Sequence, residues 1–231
     1  MGLYFLLCAL CVLIQIIFLI VEKKGMMKLS LVFKGLASLM FIILGFICLQ
    51  KSQNRAFGMF IITGLILDGI GDVVINFRFA FEKHKHLSFL SGTAFFFLGH
   101  VFYLVGLVYY AQRLTLCIVC GVIAAYIVLY IMYQILHDLK LIYKIFGLVY
   151  ITMLFIMTSI AVGNMIAALI GYSEATIAPC FYGIGSILFA ASDILLIMNN
   201  FGQKKCYTSR VISLVLYYVA QLLFAMSLAF V

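Results

Sequence analysis

The feature that most constrains this chain is a series of eight apolar runs, each about as long as a lipid bilayer is thick. The hydrocarbon core of a bilayer is about 30 Å thick and takes roughly 20 helical residues to cross. Runs of this length, separated by short polar gaps, predict a bundle of eight transmembrane helices. The predicted spans are residues 3–21, 29–49, 57–77, 88–110, 114–136, 145–170, 180–198 and 211–231.

Composition excludes a water-soluble domain. Hydrophobic residues make up 67% of the chain and charged residues 10%, whereas a soluble domain is about half apolar and a quarter charged. A chain this apolar has too few polar side chains to cover a surface in water. We therefore expect an all-α, polytopic membrane helix bundle that forms one integral-membrane domain over residues 1–231 and has the lipid bilayer as its surroundings.

The distribution of lysine and arginine predicts the orientation of the bundle. Basic residues are retained on the cytoplasmic side of a membrane protein. Lys51, Arg55 and Arg113 lie at the even-numbered loops, and eleven basic residues lie at the odd-numbered loops, so both termini are expected on the non-cytoplasmic side. The eleven are Lys23, Lys24, Lys28, Arg78, Lys83, Lys85, Lys140, Lys144, Lys204, Lys205 and Arg210.

Nucleic acid is not expected as a partner, although the formal net charge is +8. The basic residues are confined to short gaps and form no contiguous patch that could follow a phosphate backbone. The seven cysteines fall mostly inside apolar runs, where a cysteine behaves as a small hydrophobic residue. Cys117 and Cys120 form a C-x-x-C pair, but no second pair or histidine lies at ligand spacing. We expect these two residues to pack in the bundle.

A short internal repeat relates the third and seventh runs. Gly64 to Asp72 and Gly185 to Asp193 each have a glycine eight residues before an aspartate, with Ile-Leu between them. Helices four apart in the chain run in the same direction, so a parallel duplication of a four-helix unit fits this match.

Five ionisable residues lie inside the apolar runs, where burial in lipid is costly. Insertion of a charged side chain at the centre of a membrane helix costs roughly 2.5 to 3.5 kcal/mol, so such residues normally face a cavity or one another. The five residues are Lys34, Asp68, Asp72, His100 and Asp193.

Their depths predict a polar pocket that opens toward the cytoplasm. At a rise of 1.5 Å per residue, Lys34, Asp72 and Asp193 all lie about 7 to 8 Å below the cytoplasmic end of their runs. Asp68 is one turn deeper on the same face as Asp72, and His100 is about 18 Å deep. Three polar residues of the eighth run fall between these levels: Tyr217, Tyr218 and Gln221.

Several of these residues have a structural interpretation beside the functional one. Lys34 fits snorkelling to the interface as well as ligand binding, and His100 with Tyr103 fits a hydrogen-bonded pair between helices. Asp72 and Asp193 are different, because two carboxylates at one depth share a single nearby lysine. At least one of them is expected to carry or share a proton, which is the arrangement that acid catalysis needs.

At these residues the sequence resembles the YhhN-like membrane proteins, a family that includes the lysoplasmalogenases. The resemblance extends over most of the chain. The family usually has proline directly after the lysine of the second run, where this chain has Gly35. The matching residues are Lys34, Gly71-Asp72, the run from Gly92 to Tyr103 with His100, Tyr150 with Met153, Gly185 to Asp193 with Ser192, and Tyr217 to Gln221.

The resemblance implies hydrolysis of the vinyl ether bond of lysoplasmalogens, which yields a fatty aldehyde and glycerophospho-ethanolamine or glycerophospho-choline. The implied catalytic pair is Asp72 and Asp193, one protonated and one ionised, and either assignment is open. His100 or Tyr103 would orient water, and Lys34 would bind phosphate or keep one aspartate ionised. The remaining residues expected to line the substrate site are Asp68, Ser192, Tyr217, Tyr218 and Gln221.

No metal or other cofactor is expected. Zinc-dependent membrane lipid hydrolases use several histidines, whereas only His100 lies within the runs here and His84, His86 and His137 lie in loops. Two other classes remain open: a proton-coupled transporter that uses the same acids, and a lipid-binding membrane protein without turnover. The expected location is the cell membrane in a bacterial source, or the endoplasmic reticulum in a eukaryotic one.

Overall fold

The computed structural model describes residues 2–81, 85–136, 139–172, 177–202 and 205–231. The described chain forms eight α-helices, each long and apolar enough to cross a membrane. Lys83, His84, His137 and Lys204, expected in loops, lie outside the described residues. The helices are α1 (Gly2–Lys23), α2 (Met27–Leu49), α3 (Arg55–Ala80), α4 (Lys85–Val108), α5 (Leu114–Ile135), α6 (Leu141–Leu169), α7 (Ile177–Phe201) and α8 (Tyr207–Ser227), which a short 3-10 helix, Leu228–Phe230, follows.

Several helices extend beyond the apolar runs at the end that carries the basic residues. An apolar run stops at its first charged residue, whereas helical hydrogen bonding continues into the membrane interface. Arg78, Lys144 and Arg210 therefore lie in α3, α6 and α8, and not in the loops where the sequence placed them. His86 is likewise in the first turn of α4, and its Nδ1 lies 2.6 Å from the Tyr143 hydroxyl.

Helix ends follow ordinary capping chemistry. Gly25 after α1 and Gly171 after α6 have φ of 77° and 83°, a conformation that glycine adopts without steric cost. The Asn54 side chain accepts a hydrogen bond of 3.1 Å from the Phe57 amide at the start of α3. Pro179, the one proline, lies in the first turn of α7, where the missing N–H would have no helical partner.

Six helices form a closed ring in the order α2, α3, α4, α6, α7 and α8, and α3 also contacts α8 across the ring. The other two helices are peripheral: α1 packs mainly on α2, and α5 packs mainly on α6. Consecutive helices α4 and α5 therefore do not form a packed pair. This leaves a gap between α4 and α5.

Contacts near the loops identify the two ends of the bundle. At one end Arg78 Nη2 donates to Asn200 Oδ1 at 3.0 Å, which joins the ends of α3 and α7 that lead into the third and seventh loops. At the opposite end the Gln53 amide donates to the carbonyl of Val231 at 2.6 Å, which joins the second loop to the C-terminus. The odd-numbered loops thus share one end. That this end faces the cytoplasm stays a prediction.

The helix pairing agrees with duplication of a four-helix unit. The pairs α1–α2, α2–α3, α3–α4 and α4–α6 have counterparts in α5–α6, α6–α7, α7–α8 and α8–α2. Two close helix contacts also correspond: Gly71 meets Gly92 between α3 and α4, and Ser192 meets Ser213 between α7 and α8. Each residue of the second crossing lies 121 positions after its counterpart. Asp72 and Asp193 have the same separation and so occupy equivalent places in the two halves.

The crossing of α3 and α4 predicts a sharp difference between two helical glycines. A Cβ added at Gly92 would lie 2.9 Å from the Ile75 amide nitrogen and 3.1 Å from the Gly71 carbonyl oxygen. Because these are backbone atoms, Gly92→Ala must separate the helices, and we expect a loss of about 1 to 3 kcal/mol.

Gly147→Ala is the matched control, since no atom lies within 4 Å of a Cβ added there. It should keep or raise the melting temperature, because alanine is the better helix former. Thermal unfolding of the purified protein in detergent, followed by circular dichroism, compares the two. Equal melting temperatures would contradict the close crossing.

Candidate active site

A buried ion pair between α2 and α3 is the centre of the site. Lys34 Nζ lies 2.9 Å from Asp72 Oδ1, and both side chains are 4% exposed. The other carboxylate oxygen, Asp72 Oδ2, accepts hydrogen bonds from the Ser38 hydroxyl at 2.5 Å and from the Tyr217 hydroxyl at 2.9 Å. Asp72 therefore has a cation and two donors, a set of partners that suits the ionised form.

Aromatic rings surround the ammonium group of Lys34. Its Nζ lies 4.6 Å from the ring centre of Tyr218, 5.1 Å from that of Tyr217 and 5.6 Å from that of Phe18. Rings at these distances attract a cation through their quadrupole. Lys34 does not snorkel to the interface, because its charge is held between Asp72 and these rings.

Asp193 has a different set of partners. The Tyr150 hydroxyl on α6 donates to Asp193 Oδ2 in a short hydrogen bond. No lysine or arginine of the described residues forms an ion pair with Asp193, and no described residue donates to its Oδ1. The two equivalent aspartates thus differ: one is matched by a positive charge and the other by a single hydroxyl.

Asp193 lies in the wall of two neighbouring cavities. The smaller one, about 40 Å³, has both aspartates and several other polar residues in its wall. Its lining includes Lys34, Asp72, Asn76, Arg78, Ser192, Asp193, Arg210 and Tyr217. The larger one, about 420 Å³, is lined almost wholly by apolar and aromatic side chains, and its volume is within the usual range for a small-molecule site.

The larger cavity occupies the gap that α5 leaves. Residues of α4, α5, α6 and α7 surround it, among them Phe89, Leu129, Ile151 and Leu196, and Asp193 is the one carboxylate that the described residues contribute to it. It is partly open, and Tyr130 at its α5 wall is exposed. An apolar chain lying in this cavity would have its end at Asp193.

Asp68 belongs to a separate, fully buried network. Its Oδ2 accepts hydrogen bonds from the Tyr103 hydroxyl at 2.8 Å and from Gln221 Nε2 at 2.7 Å, and its Oδ1 has no partner. Gly99 lies directly against this carboxyl, leaving no space for a side chain. None of Asp68, Tyr103 and Gln221 lines either cavity, so the structure places these three expected substrate residues behind the site.

His100 is also buried and makes no hydrogen bond to Asp193. Both of its ring nitrogens lack a hydrogen-bond partner within the described chain. The ring packs edge-on against Phe189 and Tyr150, with centroid distances of 4.7 and 5.4 Å. His100 lines neither cavity, and it contacts the Tyr150 ring that serves Asp193.

Ser192 and Tyr218 contact the helices around the site. Ser192 and Ser213 exchange hydroxyl-to-carbonyl hydrogen bonds of 2.8 and 2.9 Å, which join α7 to α8. The Tyr218 hydroxyl lies 3.5 Å from the Ser38 hydroxyl, beside the ion pair. Both residues support the geometry of the two aspartates.

The described residues contain no group of three histidine, cysteine, aspartate or glutamate side chains arranged to hold a metal ion. The polar atoms nearest the small cavity are instead carboxylates, hydroxyls and cationic nitrogens. Such groups are suited to proton transfer and to binding an anion.

Three residues that contribute to the site were not expected from the sequence. Ser38 is one turn after Lys34 and so shares its helix face, which is a usable signal. Tyr150 is among the residues that carry the family resemblance, but no chemistry was assigned to it. The sequence pattern predicts a loop position for Arg78, because Arg78 directly follows an apolar run.

Comparison with family models gives one match, the YhhN family, over residues 29–228. The match includes Lys34, Asp72, Tyr150 and Asp193. No curated protein and no solved structure matches the chain.

The buried ion pair predicts strong energetic coupling. Lys34→Met leaves the Asp72 carboxylate without its cation, and Asp72→Asn leaves the ammonium without its anion. Each single change should cost about 3 to 5 kcal/mol, because an unpaired buried charge remains. The double variant should cost clearly less than the two single costs together.

Unfolding of the four proteins in detergent, followed by circular dichroism, measures the coupling. Lys51→Met is the control, since Lys51 is exposed at the opposite end of the bundle, and it should leave the melting temperature unchanged. Additive effects of Lys34→Met and Asp72→Asn would refute the ion pair.

Proposed function

Because the chain belongs to the YhhN family, we propose that it is a membrane hydrolase that cleaves the vinyl ether bond of lysoplasmalogens. The products are a fatty aldehyde and glycerophospho-ethanolamine or glycerophospho-choline. One observation carries the proposal: two aspartates with unequal partners line the same small cavity. Vinyl ether hydrolysis needs one protonated and one ionised acid, and this pair supplies both.

Asp193 is the proton donor. It has one hydroxyl partner and no cation among the described residues, so the neutral acid is the form that this environment accommodates. In the first step Asp193 transfers its proton to the β-carbon of the vinyl ether. The carbon–carbon double bond becomes a single bond, and the positive charge is shared between the α-carbon and the ether oxygen.

Asp72 stabilises this oxocarbenium ion. Lys34, Ser38 and Tyr217 fix its carboxylate in place before the reaction, and a preorganised charge of this kind lowers the barrier most where charge develops. Water then adds to the α-carbon and gives its proton to the Asp193 carboxylate. In the last step Asp193 donates a proton to the glycerol oxygen as its bond to the α-carbon breaks, and the hemiacetal hydroxyl returns a proton to Asp193 as it becomes the aldehyde carbonyl. The aldehyde and the glycerophosphodiester are released, and Asp193 is again protonated.

The alkenyl chain is placed in the larger cavity. Its lining is apolar, and Asp193 is the carboxylate at its wall. With the hydrocarbon in this cavity, the vinyl ether reaches the boundary of the two cavities, where both aspartates are within range. The opening between α4 and α5 gives a lipid a path to this position from within the membrane.

Aldehyde release by the purified protein in detergent tests the reaction. Asp193→Asn should lower kcat by about 10² to 10⁴-fold, because the proton donor is lost. Asp72→Asn should lower it by about 10² to 10³-fold through loss of charge stabilisation. Tyr150→Phe should retain more activity than Asp193→Asn, since the acid itself remains.

Arg113→Gln is the control for a charge-to-amide change, because Arg113 is exposed at the opposite end of the bundle and lines neither cavity. Each variant is first checked for a folded state by circular dichroism. Full activity in folded Asp193→Asn would refute its role. Absence of aldehyde from the wild type with either head group would refute the reaction, and proton flux in liposomes would then test the transporter alternative.

If the alkenyl chain of the substrate lies in the larger cavity, a bulky substitution at Gly147 should impair the cleavage of long-chain substrates more than that of short-chain ones. This residue lines the larger cavity, and no atom lies within 4 Å of a Cβ added there. Gly147→Phe should fill part of the cavity without disturbing the helices. We expect kcat/KM to fall at least tenfold for long alkenyl chains and to change little for short ones, as measured by aldehyde release over a series of chain lengths.

A further inference from the structure

Arg78 is a cation without a carboxylate partner in the described part of the chain. It lines the small cavity, and its Nη2 donates to Asn200 Oδ1 at 3.0 Å. Arg78 Nε is buried and makes no hydrogen bond, and the same is true of Asn200 Nδ2. Two linked side chains thus each have a buried N–H donor without an acceptor.

The other cations of this cavity are already paired. Arg210 binds Glu22 through two hydrogen bonds of 2.8 and 2.5 Å, and Lys34 is paired with Asp72. Only Arg78, among the described cations of the cavity, has no anion. Buried donors without acceptors are costly and uncommon in native structures, so Arg78 Nε and Asn200 Nδ2 are donors to which no described residue supplies an acceptor and which an anionic ligand would satisfy.

Arg78 is also held in a fixed position. Its guanidinium carbon lies 4.6 Å from the ring centre of Phe79 and 5.1 Å from that of Phe89, and these contacts restrict the side chain. A planar guanidinium with free N–H groups can donate two parallel hydrogen bonds to two oxygens of one anion. Phosphate is a common partner in this bidentate geometry.

We infer that Arg78 and Asn200 form a subsite for the phosphate group of a lipid substrate. The inference rests on the proposed function for its substrate and replaces the expected role of Lys34 in binding phosphate. Arg78 is six residues after Asp72 on α3, about 9 Å nearer the end of the helix. In this arrangement the glycerol backbone and the long Arg78 side chain together bridge the offset, so the phosphate lies toward the interface while the vinyl ether lies at the aspartates.

The substrate class follows from this geometry. The site selects lysolipids that carry a phosphodiester over alkenylglycerols, which have the same chain and no phosphate. The selectivity comes from Arg78 and Asn200 and is separate from the catalytic step. It can therefore be measured with ligands that the protein does not cleave.

The experiment measures equilibrium binding of two non-cleavable lipids to the purified protein in nanodiscs. One is a saturated alkyl-ether lysophospholipid with an ethanolamine head group, and the other is the matching alkylglycerol. Arg78→Gln and Asn200→Ala are compared with the wild type, and Arg113→Gln, an exposed arginine at the other end of the bundle, is the control.

The wild type and Arg113→Gln should prefer the phospholipid over the alkylglycerol. Arg78→Gln should weaken phospholipid binding by about ten- to hundredfold, as expected for loss of charge-assisted hydrogen bonds, and leave alkylglycerol binding unchanged. Arg78→Lys should restore part of the affinity. Unchanged alkylglycerol binding also establishes that the variant is folded.

Three outcomes would overturn the subsite. The wild type would bind the two lipids equally well, Arg78→Gln would lose affinity for both lipids to the same degree, or Arg78→Gln would keep the wild-type preference for the phospholipid. A parallel titration with inorganic phosphate tests whether the subsite binds free phosphate or the phosphate of a lipid head group. Tight binding of free phosphate that Arg78→Gln removes, without a lipid preference, would overturn the head-group assignment. Preference for the phospholipid without aldehyde release from the cleavable substrate would support the subsite and reject the proposed reaction.

Discussion

An ion pair buried between α2 and α3 fixes the position of three helices in the ring. In a low-dielectric interior, neither Lys34 nor Asp72 is tolerated without the other. The Tyr217 hydroxyl binds the same carboxylate, so α8 is tied to the pair as well. The second aspartate gains its distinct setting from this arrangement, because the lysine at its level is already neutralised. The two acids of the site therefore differ in their partners: Asp72 has a cation and Asp193 has a hydroxyl.

The two halves of the bundle explain how such an inequality can arise. Asp72 and Asp193 occupy equivalent places on α3 and α7, and the helices around them pair in equivalent ways. The difference comes from the adjoining helix of each half, which supplies Lys34 from α2 but Tyr150 from α6. A symmetric framework thus carries an asymmetric pair of carboxyls. Acid catalysis through two carboxyls needs that asymmetry.

The sequence predicted the eight helices well, because apolar length is the physical requirement for crossing a bilayer. It also brought Lys34, Asp72 and Asp193 to one level, since depth follows from the helical rise. It did not reveal which aspartate pairs with the lysine, because that depends on the rotation of α2 and α7 about their axes. For the same reason it grouped Asp68 and Gln221 with the site, although both lie behind it. Arg78 was missed because an apolar run ends before its helix does.

The peripheral position of α5 affects how a ligand is supplied. A ligand that enters the larger cavity between α4 and α5 comes from the plane of the bilayer. The quantity that governs occupancy is then the mole fraction of lipid in the membrane, and dilution by other lipids competes with binding even when the bulk concentration is constant. The two products of the proposed reaction would also partition into different phases. A long aldehyde would stay in the hydrocarbon of the membrane, and a glycerophosphodiester would enter water. Reversal of the reaction would require both to return to one cavity from two different phases.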